Sequence, residues 1–185
     1  MDYQSLGKSI IDEISACLGK TDPDELIRAE EIISSSERVF LAGAGRSGFE
    51  VSAFTMRLMH IGFQAYRIGD VVTPAIKSGD LLVIASGSGE TKSMALLASI
   101  AKDKGAKVLL FTTNRQSSIA SMADAVVVIH GKAAKSDTGS SQSVQPMSNL
   151  FVQSLCITFD MIIIGLMKLR GTDESLMKDN HANLE

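Results

Sequence analysis

Apolar residues at Ile10, Ile11, Ile14 and Leu18 recur at helical spacing up to Gly19 and Lys20, and Asp22 followed by Pro23 predicts a second helix to about Ser34. Beyond this pair the pattern changes. Five short runs, RVFLAG (38–43), QAYRIG (64–69), DLLVIAS (80–86), AKVLLFTT (106–113) and AVVVIH (125–130), read as strands separated by segments able to form helices. Runs that are apolar throughout rather than alternating, such as LLVIA and VLLF, indicate strands covered on both faces. The expectation is therefore α/β class: a doubly wound five-stranded parallel sheet with helices on both faces. The polar, small-residue stretch GKAAKSDTGSSQS (131–143) reads as a surface loop or lid. Pro146 is expected to open a long apolar helix to about Arg170, stopped by Gly171, and a short helix from Asp173 runs into HANLE. One domain spanning 1–185 is expected, with the helices of 3–35 and the helix and tail of 146–185 packing on the sheet.

Composition narrows the class. A chain of 185 residues suffices for one α/β domain that buries roughly 70% of its unfolded surface. Lys and Arg number 18 against 21 Asp and Glu, a formal charge of −3 with no block of like charge, which argues against a nucleic-acid partner. Cys17 and Cys156 lie in apolar helical patterns without metal-ligand spacing and read as reduced core thiols. The N-terminus has no continuous apolar core of the signal-peptide kind, and the apolar MIIIGLM (161–167) is too short to span a bilayer. A cytoplasmic protein with no membrane association is expected. Met56, Met59, Met94, Met122, Met161 and Met167 read as core filler. The apolar faces of the long helix exceed what one small sheet needs to cover, which favours packing between subunits.

Ligands of such sheets bind beyond the carboxyl ends of the strands, where the winding reverses, so the loops after the first and third strands matter most. The first, GAGRSG (43–48), has the spacing G-x-G-x-x-G, and Asp70 lies 22 residues past Gly48, where the ribose acid of a dinucleotide site would sit. The second, ASGSGETKS (85–93), opens a helix and offers the hydroxyls of Ser86, Ser88 and Thr91 with the backbone N–H groups of a glycine-containing turn. Hydroxyls and N–H groups converging at a helix N-terminus suit the three terminal oxygens of a phosphate monoester. A dinucleotide would use the first turn and leave the second idle. Ser47 is expected to face Ser86 and Ser88 across the cleft. Arg46 either attracts the phosphate or pairs across a subunit interface.

The two turns, together with FTMRLMHIGF (54–63), TPAIKSGD (73–80), QPMSNLF (145–151) and HANLE (181–185), resemble the 6-phospho-3-hexuloisomerase family of sugar isomerase (SIS) domains along nearly the whole chain. The resemblance implies a flavodoxin-like sheet and a homotetramer with active sites shared between subunits. It also implies interconversion of 3-hexulose 6-phosphate and fructose 6-phosphate in the ribulose monophosphate route. No metal or organic cofactor is implied; the partner is a small sugar phosphate. Ser47, Ser86, Ser88 and Thr91 match the positions that hold its phosphate, with the Gly87 backbone alongside.

Moving a ketone between carbons three and two through an enediol needs a base and donors that stabilise the enediolate. The family pattern after the lid is P-M-x-x-L-F-E-Q, with its glutamate as the base, whereas this chain reads Pro146, Met147, Ser148, Asn149, Leu150, Phe151, Val152, Gln153. Valine accepts no proton. Three explanations stand: a substituted or variant residue, another base, or a module that binds sugar phosphate without turnover. His181, in the tail that the resemblance sends to a neighbouring subunit's site, and His60, at the end of the helix after GAGRSG, are the candidate catalytic groups. Both have structural alternatives, an exposed tail histidine and a helix C-terminal histidine favoured by the dipole. Glu90 is expected to face solvent and His130 to be structural.

Overall fold

The computed structural model describes residues 1–131 and 143–184. Asp2 starts helix α1 (Tyr3–Leu18), its carboxylate accepting from the Gln4 and Ser5 N–H groups, and Asp22 caps α2 (Pro23–Ser34), where Pro23 occupies the first helical position. The chain then alternates β1 (Val39–Gly43), α3 (Gly45–His60), β2 (Ala65–Arg67), β3 (Leu81–Ala85), α4 (Lys92–Asp103), β4 (Lys107–Thr112), a 3₁₀ turn (Ala120–Met122) and β5 (Ala125–Val128). Helices α5 (Asn149–Arg170) and α6 (Glu174–Asp179) follow.

The five strands form one parallel sheet in the order β2-β1-β3-β4-β5. Winding reverses between β1 and β3, and the crevice beyond their carboxyl ends is the place such a sheet offers a ligand. One face, with Leu41, Val83 and Leu109, packs against residues of α2, α3 and α5; the other, with Phe40, Leu82, Ile84, Val108 and Leu110, packs against α4 and the 3₁₀ turn. The fold class is that expected.

Differences are local. The edge strand β2 is limited to three residues of half-buried chain, although the Ile68 N–H still reaches the Leu41 carbonyl at 2.9 Å. Pro146 does not open α5, which begins at Asn149; the intervening Met147 has φ of +56° and cannot continue a helix backwards. The apolar helix is longer than MIIIGLM suggests: with 22 residues it could cross a bilayer by length and composition, but Leu150, Phe151, Val152, Leu155, Phe159, Ile162 and Leu166 are core residues packed inside this fold. Of the methionines expected in the core, Met94 is buried, whereas Met56, Met59 and Met161 are 45%, 39% and 40% exposed. They lie on the outer faces of α3 and α5, beside exposed Ile157 and Ile164.

Candidate active site

Gly43 and Ala85 are the last residues of β1 and β3 and stand opposite each other in the parallel register, so the two glycine turns leave the sheet at the same height. In the first turn the chain folds back on itself: a Cβ at Gly48 would lie 2.7 Å from the Gly43 carbonyl oxygen, closer than any side chain tolerates. This brings the N-terminus of α3 over the strand end. Its N-cap, Ala44, has no side-chain acceptor for the first N–H groups, and half-buried Ser47 lies in its first turn.

The second turn is held from behind. The Gly87 carbonyl accepts from Thr112 Oγ1 (3.2 Å), Thr113 Oγ1 (2.8 Å) and the Thr113 N–H (3.0 Å), and the Ser86 N–H donates to the Phe111 carbonyl at 3.0 Å. Among the described residues no acceptor takes the Gly87 or Ser88 N–H. Gly89 has φ of +66°, and a Cβ there would collide with Ser117 Oγ. The hydroxyls of Ser86 and Thr91 are 3.1 Å apart. Thr91 is the N-cap of α4, yet makes no side-chain cap, unlike Asp2, Asp22 and Asp173 at α1, α2 and α6. Two helix N-termini, each with unsatisfied N–H groups and the positive end of its dipole, therefore open beside Ser47, Ser86, Ser88 and Thr91, the arrangement that receives an anion.

Glu90 does not oppose that anion. Its carboxylate turns to the β4–β5 connection, where it accepts from the Ser118 N–H at 2.7 Å and Ser118 Oγ at 2.5 Å, and the Ser118 hydroxyl, then its N–H, holds the Glu90 pKa below the usual range.

The start of α5 forms the third side. The Phe151 ring fills the space a Cβ at Gly87 would need, 3.2 Å away, and Arg46 donates to Asn149 Oδ1, tying the first turns of α3 and α5 together within one chain. Val152 is 1% exposed and packs in the core.

The histidines stand elsewhere. His60 is 2% exposed at the far end of α3, roughly 20 Å along the helix from Ser47 at 1.5 Å per residue. Its ring stacks on that of His181 with centroids 5.2 Å apart, and Asn180 Nδ2 donates to the His60 carbonyl at 3.0 Å. Burial, then the Arg57 and His181 charges, lowers the His60 pKa from its usual 6.5. Within one chain, neither His60 nor His181 joins the serine turns. His130 is exposed after β5, and Asp70 is exposed and pairs with Arg67 at 3.1 Å. Among the described residues no group of three or more His, Cys, Asp or Glu side chains could hold a metal.

Sequence reasoning missed the supporting residues Thr112, Thr113, Ser118 and Asn149. The Thr-Thr-Asn run at a strand end was the available signal, since donors there face the neighbouring strand's loop.

The SIS domain model matches residues 32–162. The chain is 40% identical over 176 residues to the 3-hexulose-6-phosphate isomerase of Bacillus subtilis strain 168, covering 95% of each protein. It is 41% identical over 174 residues to the 3-hexulose-6-phosphate isomerase of Mycobacterium gastri, covering 94% of this chain and 87% of that protein. A Methanococcus jannaschii crystal structure, from which a 3-hexulose-6-phosphate isomerase function was inferred, superposes with a TM-score of 0.85 at 29% identity, over 98% of this chain and 99% of that one.

Proposed function

The chain belongs to the SIS domain family, and from that premise we propose that it is a sugar-phosphate isomerase interconverting 3-hexulose 6-phosphate and fructose 6-phosphate. The observation that carries the reading is the diversion of the Thr91 hydroxyl from its helix cap to Ser86, which leaves two N-termini open at register-matched strand ends. Ser47, Ser86, Ser88 and Thr91, with the Gly87 and Ser88 N–H groups, bind the phosphate. Held there, the open-chain ketose lies beyond the sheet toward the start of α5, and a proton leaves carbon two and returns to carbon three through an enediol.

The tail of a neighbouring copy, carrying His181, completes the site, with His60 beneath it as the residue that orients the tail. On this reading the exposed apolar faces of α3 and α5 make contacts within a homotetramer, and the isomerase works in the cytoplasm. Purified protein incubated with 3-hexulose 6-phosphate should yield fructose 6-phosphate, and fructose 6-phosphate in deuterated water should gain carbon-bound deuterium. Binding without either outcome would sink the isomerase reading. It would favour the second reading, a non-catalytic sugar-phosphate module, for which the specific observation is the buried Val152 where the family pattern has a glutamate.

A further inference from the structure

Taking a proton from carbon requires a basic group beside the bound ketose, and Val152 is not one. Of the carboxylates around the serine turns, Glu90 is engaged by Ser118 and turned away. Glu50 is differently placed. It stands three residues after Ser47 on α3, so the two share a helix face, and it is half-buried on the side facing α5. Among the described residues it forms no ion pair. It lines a groove between the two helices together with Cys156, one turn beyond Val152 on α5. Burial, then the neighbouring Glu50 carboxylate, pushes the Cys156 pKa up to about 11.

The Arg46–Asn149 hydrogen bond sets the two helices level at their N-termini. From that rung Glu50 is four residues along α3 and Val152 three along α5, or about 6 Å and about 4.5 Å at 1.5 Å per residue. Both helices start at the carboxyl edge of the sheet, and Cα–Cβ bonds tilt toward the helix N-terminus, which here is toward the phosphate turns.

We propose that Glu50 is the general base, taking from the facing helix the part that position 152 cannot play; the assignment rests on the isomerase reading above. The Glu50 carboxylate takes the proton of carbon two. The C–H electron pair becomes the double bond between carbons two and three, and the carbon-three carbonyl electrons move to its oxygen, giving the enediolate. The hydroxyl proton on the second oxygen passes to the third. Collapse of the resulting enolate forms the carbon-two carbonyl while carbon three takes the proton back from the Glu50 carboxyl. No redox partner is needed.

The test compares the parent, Glu50→Gln, and Glu50→Gln combined with Val152→Glu, measuring isomerisation, deuterium uptake and the thermal shift given by fructose 6-phosphate. Glu50→Gln should lose about 100-fold or more in kcat while keeping the thermal shift. Val152→Glu in that background should restore turnover. If Glu50→Gln does not fold, Glu50→Asp, which keeps the charge one methylene shorter, should lower kcat and leave KM unchanged. An active parent with an equally active Glu50→Gln, or a Glu50→Asp at parental kcat, overturns the assignment alone. A parent inactive in both assays that still shows the thermal shift overturns the isomerase reading and this assignment with it.

Discussion

Ser86 and Thr91 hold their hydroxyls 3.1 Å apart, so the N-cap residue of α4 serves the preceding strand end and not its own helix. Helix stability and phosphate affinity are thereby uncoupled at Thr91. Thr91→Ala should change the unfolding free energy by less than the ~1 kcal/mol that losing a working cap costs. Its affinity for fructose 6-phosphate should fall roughly tenfold to hundredfold, the equivalent of one hydrogen bond to a charged group. Denaturant melts paired with calorimetric titration separate the two quantities.

Gly89 carries a different constraint. Its φ of +66° disfavours a side chain, and a Cβ would strike Ser117 and lie 3.2 Å from Thr112 Oγ1. Gly89→Ala should destabilise the protein by about 2 kcal/mol or more and abolish sugar-phosphate binding. Adding Ser117→Gly should recover only part of the stability, because it relieves the collision and leaves the backbone strain.

The exposed side chains of Met56 on α3 and of Met161 and Ile164 on α5 test the assembly. Met56→Lys with Ile164→Lys should give a smaller species in analytical ultracentrifugation. Turnover should fall with it, because the tail carrying His181 would no longer reach a neighbour's serine turns, while the isolated chain keeps its helical circular dichroism.

His60 predicts a pH response. Its folded pKa is depressed by burial, then by the Arg57 and His181 charges, so below its ordinary value of 6.5 the unfolded chain takes up the proton more readily. Stability is full above that value and declines as the pH falls toward the folded pKa. His60→Gln should flatten the part of this acid slope that lies just below 6.5, measured as melting temperature against pH.

The sheet was legible because Leu81 to Ala85 and Val108 to Phe111 are apolar at every position, a pattern that only a two-sided burial explains. The position of the two glycine turns was legible for a related reason: glycines directly after an apolar run mark where the strand ends. What the residues alone did not disclose was the destination of an apolar helical face. Met94 and Met56 look alike in sequence, yet one meets its own sheet and the other solvent in the single chain. Periodicity reports that a face is apolar and is silent on what covers it. Glu50 was hidden for the converse reason, since an acid on an amphipathic helix reads as surface until the neighbouring helix is placed.

The matching of Gly43 with Ala85 means that the spacing of the two anion-gripping loops is decided deep in the interior rather than at the surface. Repacking around Val83 or Leu41 should thus reach the ligand first: variants with such changes should lose substrate affinity well before they lose cooperativity in unfolding, and selection for tighter binding should accept substitutions in places no ligand ever touches.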